Sequence, residues 1–220
     1  MVELDAWSRL TWAFTGLIIA AAALFILLYL RIRRAEKRET ATLAMSEEAI
    51  AAQEAERLRI YMELHDDILP RLEDRAIAAR LREICAGLMP PDFSRLSLSD
   101  LLTTLCTGFT RKTGITCDYD VGKDIDASPL DPGCRLHIYR IAQEAFNNIT
   151  KHSGTSRATF TAGRRNSGDG PSVLLYISDE GAGLTPESAG CRGMGMSAMR
   201  QRAAIIGARL DFIDQKDGGG

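Results

Sequence analysis

The chain has 220 residues, enough for one or two domains with a sizeable core. Its formal net charge of −2 carries no basic signature for nucleic acid. Five cysteines, Cys85, Cys106, Cys117, Cys134 and Cys191, form no CxxC pair, which argues against a zinc site and suits reduced thiols in a cytosol.

In chain order, Trp12 to Leu30 is uncharged and nearly all apolar, close to the roughly 20 residues a helix needs to cross a bilayer core. Glu3, Asp5 and Arg9 precede it, while Arg31, Arg33, Arg34, Lys37 and Arg38 follow. That asymmetry predicts a single-pass anchor in the cytoplasmic (inner) membrane, with everything after it in the cytoplasm. A cleaved signal peptide would carry its positive charge before the apolar run.

From Arg31 to about Leu69 there is no glycine or proline, and good helix formers dominate. Leu43, Ile50, Leu58, Tyr61, Leu64 and Ile68 recur at roughly helical spacing, a loose heptad that predicts pairing with a second copy. His65 stands in this run, followed by Asp66 and Asp67. An imidazole near neutrality is a usable nucleophile, and Asp66 can orient its ring or take its proton. A packed histidine fits the same periodicity, because the helical wheel puts His65 among Leu58, Tyr61, Leu64, Ile68, Leu69 and Leu72. Pro70 predicts a kink.

Arg71 to Leu88 reads as helix again and stops at Met89-Pro-Pro91. Ser97 or Ser99 can cap a helix carrying Leu101, Leu102, Leu105 and Phe109 to about Gly114. Ile115 to Val121 reads as a strand, Cys134 to His152 as a helix, and Arg157 to Ala162 and Val173 to Ser178 as a hairpin joined by a long polar turn. Glu144 and Asn148 share a helix face and offer oxygen ligands for magnesium. Asp179-Glu-Gly-Ala-Gly183 follows a strand, where glycines let a ligand approach the backbone. Gly190-Cys-Arg-Gly-Met-Gly195 opens a helix, a ready phosphate site.

The ordered set resembles a bacterial two-component sensor histidine kinase of the nitrate-sensor-like class. Glu63 to Asp67 resembles the phosphoacceptor box. Gln143-Glu-Ala-Phe-Asn-Asn148 with Lys151 and His152 resembles the N box. Asp179 to Gly183 and Gly193 to Arg202 resemble the glycine boxes of a GHKL-type (Bergerat) ATPase. The resemblance covers roughly residues 55–220.

With the transmembrane helix at 12–30 and the short extracytoplasmic segment, 1–11, read from the apolar run and its flanks, it implies an α/β protein. A signalling helix, 31–56, a helical dimerisation and phosphoacceptor region, 57–113, and a GHKL-type α/β sandwich ATPase domain, 114–220, would follow. It implies ATP and Mg²⁺ as cofactors, a homodimer, and a response regulator as phosphate recipient. His65 would accept the γ-phosphate with Asp66 as base. Asn148 would ligate magnesium, and Glu144 would assist near the phosphates. Lys151 and His152 would belong to the nucleotide site. Asp179 would bond the adenine amino group, Gly181 and Gly183 would line the adenine pocket, and Gly193 and Gly195 would form the lid.

Three departures are visible. Relatives usually carry a glutamine, tied to dephosphorylating the regulator, where this chain has Pro70. The stretch between His65 and Pro90 is short for a helical hairpin. The chain stops at Gly218-Gly-Gly220, where relatives have a further turn and strand, so the sheet is expected to be one strand short. These departures motivate an alternative, a membrane-anchored dimer that binds ATP and phosphorylates nothing. A GHKL clamp of the repair or topoisomerase type would need neither the span nor His65, and a kinase acting on a partner's serine would not need His65.

Overall fold

A computed structural model describes residues 2–89, 91–93, 95–167, 170–181, 183 and 194–213. Side chains are not described at 2–11, 13–23, 35, 36, 38, 39, 166, 167, 171 and 194. Two compact units divide the chain, Met1–Ser46 and Glu47–Gly220.

The first helix, α1, spans Val2–Met62, and the first unit is its N-terminal part. There Trp12 and the run Leu24 to Leu30 are exposed. Arg33 donates from Nε to the Tyr29 hydroxyl at 3.0 Å and lies 5.4 Å from the centre of that ring. Among the described residues no helix is long and apolar enough to cross a membrane. Of the expected span at 12–30, the side chains of 13–23 lie outside the described residues.

In the second unit the predicted kink at Pro70 is a change of helix type. After Met62 the chain widens into a π-turn, Glu63–Ile68, in which the Leu69 N–H reaches the Leu64 carbonyl. It then tightens into a 3₁₀ turn, Leu69–Arg71. A proline inside an α-helix lacks a donor and crowds the carbonyl four residues back; the wider turn before it relieves both conflicts. Leu72 is extended, and α2 runs Arg75–Leu88, not from Arg71 as expected. Asp74 sets its start by accepting from the N–H groups of Ala76 at 2.7 Å and Ile77 at 3.2 Å. Because the reversal uses so few residues, α2 keeps 14, about four turns. It buries Ala78 and Cys85 and leaves Ile77 and Ile84 exposed.

Helix α3 spans Leu98–Thr113. Ser97 caps it by accepting the Asp100 N–H at 3.1 Å, and Gly114 ends it in the left-handed region at φ 75°. Its apolar stripe, Leu98, Leu101, Leu102, Cys106 and Phe109, is buried. After β1, Thr116–Val121, comes α4, Pro132–Asn148. Asp131 caps α4 by accepting the Cys134 N–H at 2.9 Å, and proline suits the first turn because no intrahelical donor is lost there. This helix begins two residues before the predicted Cys134 and passes into a second π-turn, Ile149–Ser153, closed by Gly154 at φ 63°.

Strands β2, Arg157–Ser167, and β3, Gly170–Asp179, are antiparallel, with Ala158 opposite Asp179 and Ser167 opposite Gly170. The stretch read as a long polar turn is therefore mostly ladder: Gly163, Arg164 and Arg165 pair with Leu174, Val173 and Ser172. β1 lies parallel to β2, from Thr116 opposite Arg157 to Val121 opposite Ala162. Among the described residues the sheet order is β1-β2-β3. Helix α5, Met194–Ile205, packs on α4.

The fold is a two-layer α/β arrangement in which α3 and α4 cover one face of the sheet. Phe160 of β2 is fully buried under Phe146 of α4, 5.7 Å between ring centres, and Phe146 meets Phe109 of α3 at 4.5 Å. Each such buried ring contributes roughly 1.5–3 kcal/mol over an exposed one. This core fixes α4, whose C-terminal half carries the residues singled out above.

Candidate functional site

His65 lies in the first π-turn, and its side chain is half exposed. The ring stacks on Tyr61 with centroids 5.4 Å apart, and Nδ1 is 2.9 Å from Asp66 Oδ1. A proton on Nδ1 would be donated to Asp66 and would leave the lone pair on Nε2. Helix α2 folds back beside this turn. Tyr61, His65, Arg82, Cys85, Ala86 and Met89 line a cavity of about 230 Å³. Arg82 was not anticipated: nothing in its own helix marks it, and only the reversal at 72–74 brings it to His65.

A second group of residues forms around α4. Glu144 meets the start of α5: a Cβ placed on Gly195 would run into Glu144 Oε1 and come within 3.1 Å of its carboxyl carbon. Two motifs distant in sequence therefore touch, and a side chain at 195 would displace the Glu144 carboxylate. Asn148 is one turn further along α4, so the carboxylate and amide oxygens share a face. Such a pair suits Mg²⁺, which takes few protein oxygens and completes its shell with water and phosphate.

Asp179 ends β3 and accepts the Gly181 N–H on Oδ1 at 2.8 Å. A Cβ on Gly181 would meet the Ser153 carbonyl and lie 2.6 Å from Ser153 Cβ, so this loop is pressed onto the π-turn that extends α4. Gly183 has φ 74°, a conformation that favours glycine. Burial pushes the Asp179 carboxyl above its usual range, and the Gly181 N–H works against that rise. Its Oδ2 makes no hydrogen bond among the described residues and is a half-buried acceptor suited to an amino donor such as adenine N6. Lys151 and His152 are exposed on the adjoining π-turn. Gly193 lies outside the described residues.

The structure thus draws Glu144, Asn148, Gly195, Asp179, Gly181 and the 149–153 turn toward one end of α4. It does not bring His65 into that group; the His65 turn packs against α2. Among the described residues no cluster of three or more histidine, cysteine or acidic side chains could hold a metal.

No protein-family model matches the chain. It is 28% identical over 194 residues to the sensor histidine kinase MctS of Rhizobium johnstonii, a match covering 73% of this chain and 41% of MctS. It is 29% identical over 133 residues to the sensor histidine kinase LiaS of Bacillus subtilis, covering 60% of this chain and 35% of LiaS. The chain therefore spans about two fifths or less of these relatives. Among solved structures, the histidine kinase domain of the Erythrobacter litoralis EL346 blue-light activated kinase aligns with a TM-score of 0.49 at 13% identity, over 74% of this chain and 92% of that one.

Proposed function

We propose that the chain is a membrane-anchored sensor histidine kinase that binds Mg-ATP, phosphorylates His65 and passes the phosphate to an aspartate of a response regulator. The similarity to sensor histidine kinases supports the class. The observation that carries the chemistry is the His65–Asp66 pair, in which Asp66 Oδ1 faces Nδ1 of an exposed ring and leaves Nε2 for the phosphate.

Nε2 would attack the γ-phosphorus as the bond to the β-phosphate bridging oxygen breaks and ADP leaves. The new N–P bond makes the ring cationic, and Asp66 stabilises or takes the Nδ1 proton. Asp179 would accept from the adenine amino group, and Glu144 and Asn148 would hold the magnesium, which neutralises phosphate charge. Arg82, beside His65 in the same cavity, suits the oxygens of a phosphoryl group.

Two further parts of the proposal, the anchor and the dimer, rest on exposed apolar surface. The run Leu24 to Leu30, followed by basic residues, supports a membrane anchor at 12–30. Leu58 of α1 supports pairing with a second copy, as do Ile77 and Ile84, two turns apart on α2. The test of the whole reading is incubation of the chain with γ-labelled ATP and Mg²⁺. Acid-labile, base-stable label on the protein is expected; its absence from a preparation that binds ATP would leave the ATP-binding, non-phosphorylating dimer.

Pro70 adds a prediction about the reverse reaction. It offers no side-chain donor and no N–H to orient a water against a phosphoaspartate. Purified phosphorylated regulator is expected to decay no faster with this protein and ADP than alone, and Pro70→Gln is expected to speed that decay. Fast decay with the unmodified protein would show that another group positions the water.

A further inference from the structure

The cavity beside His65 carries a second chemistry in its walls. Tyr61, His65, Arg82, Cys85, Ala86 and Met89 line it, and three of these are metal donors of the soft or borderline kind: an imidazole, a thiol and a thioether. Cys85 is 3% exposed, so packing within the second unit holds its sulfur in place. Met89 follows one turn later at the end of α2, where its N–H donates to the Cys85 carbonyl at 3.0 Å. His65 reaches the same cavity from the π-turn.

Three features select the ion. First, Asp66 Oδ1 lies 2.9 Å from His65 Nδ1. A carboxylate on one ring nitrogen is the usual orienting partner of a metal-ligating histidine, and it presents the other nitrogen, Nε2, to the metal. Second, the lining holds two sulfurs and no carboxylate. Among the described residues no three histidine, cysteine or acidic side chains gather as a harder divalent ion would need, whereas thiolate and thioether sulfur favour copper(I). Third, Arg82 stands in the same wall and repels a divalent cation. A monovalent ion on a deprotonated thiol carries no net charge, so the guanidinium tolerates it. The cavity, about 230 Å³, is roomier than one ion needs. Closure falls to Met89, which is 46% exposed and has an unbranched, freely rotating side chain.

We propose that His65, Cys85 and Met89 form a copper(I) site, and that a bound ion occupies the ring nitrogen that would otherwise take the phosphate. His65 Nε2, Met89 Sδ and Cys85 Sγ each donate an electron pair to copper(I). The Cys85 thiol releases its proton to solvent as its bond to the metal forms, and nothing is oxidised or reduced. The block on labelling rests on the kinase reading; the site itself does not. The test uses the full chain with Cys134→Ser and Cys191→Ser, which removes thiols that bind copper elsewhere. It is titrated without oxygen against a competing copper(I) chelator, and one equivalent is expected to bind. X-ray absorption at copper is expected to show two sulfurs and one imidazole nitrogen. Cys85→Ser is expected to weaken binding by more than the roughly 10–100-fold that losing an outer partner of a ligand costs. Met89→Leu keeps the volume without the sulfur and is expected to weaken binding at least about tenfold, which decides the matter if Cys85→Ser does not fold. Label from γ-labelled ATP is expected to fall at least about tenfold with one equivalent of copper(I) and to return when the chelator removes it. Unchanged copper affinity in Cys85→Ser or Met89→Leu overturns the site, as does a copper shell of sulfur alone. Tight binding with undiminished label overturns the block. Absence of label even without copper overturns the kinase reading and the block together, and affinity and absorption then decide the site by themselves.

Discussion

His65→Gln is expected to reduce label incorporation from ATP to background, a loss of at least roughly 10²–10⁴-fold, while ATP and ADP bind as before. Glutamine has similar reach but an amide nitrogen with no nucleophilic lone pair. The ring is half exposed, bonds Asp66 and stacks on Tyr61, so removing it disturbs little of the buried core. The measurement is acid-labile phosphate on purified mutant and unmodified protein, with calorimetry confirming nucleotide binding. Retained label in the mutant would move the acceptor to His137 or His152. His137 is half buried beside Arg202, and burial together with the Arg202 charge holds its pKa below the usual range; His152 is exposed on the second π-turn.

Asp179→Asn is expected to weaken ATP and ADP alike by roughly ten- to hundred-fold, the size of a hydrogen bond to a charged acceptor. The carboxylate accepts from an amino donor; asparagine offers a weaker acceptor and a competing NH₂ group. Asn148→Asp is expected to spare metal-free ADP binding and to slow magnesium-dependent transfer. Equal losses of metal-free ADP binding in both mutants would contradict that division. The pH dependence has a definite sign. Burial raises the Asp179 pKa, so nucleotide affinity is full above that raised value and is lost as pH falls through it. That loss comes at a higher pH than an ordinary aspartate would give, and the Asn variant is expected to lose this pH dependence.

Elements set by local chemistry were readable from the chain. Ser97, the apolar stripe of α3 and Gly114 specify a helix through capping, burial and a left-handed stop, and the structure has that helix. The middle of the hairpin was misread because Gly163, Arg164 and Arg165 have turn-like or solvated side chains, whereas ladder hydrogen bonds use backbone groups that every residue but proline has. His65 keeps the Tyr61 face that the wheel gives it, whereas the π-turn that carries it was not legible. Glu144 and Gly195 were both recognised as candidates, but their contact was not legible, since it depends on how α5 lands on α4. Glu54, Arg140 and Arg202 are separated by most of the second unit and look like ordinary solvated charges until the fold buries them as ion pairs.

The sheet's order also sets the order in which it can form. β2 and β3 are neighbours along the chain and meet at Ser167 and Gly170, so their ladder closes through a short loop. β1 needs β2 as its parallel partner and must wait until α4 has crossed between them. At ribosomal speeds of about 5–20 residues per second, the Val121 end of β1 emerges roughly two to seven seconds before the Arg157 end of β2. Through that interval Cys117 and the apolar stripe of α3 have no Phe160 to pack on. The spacing of β1 and β2 therefore sets how long this apolar surface waits for its cover during synthesis.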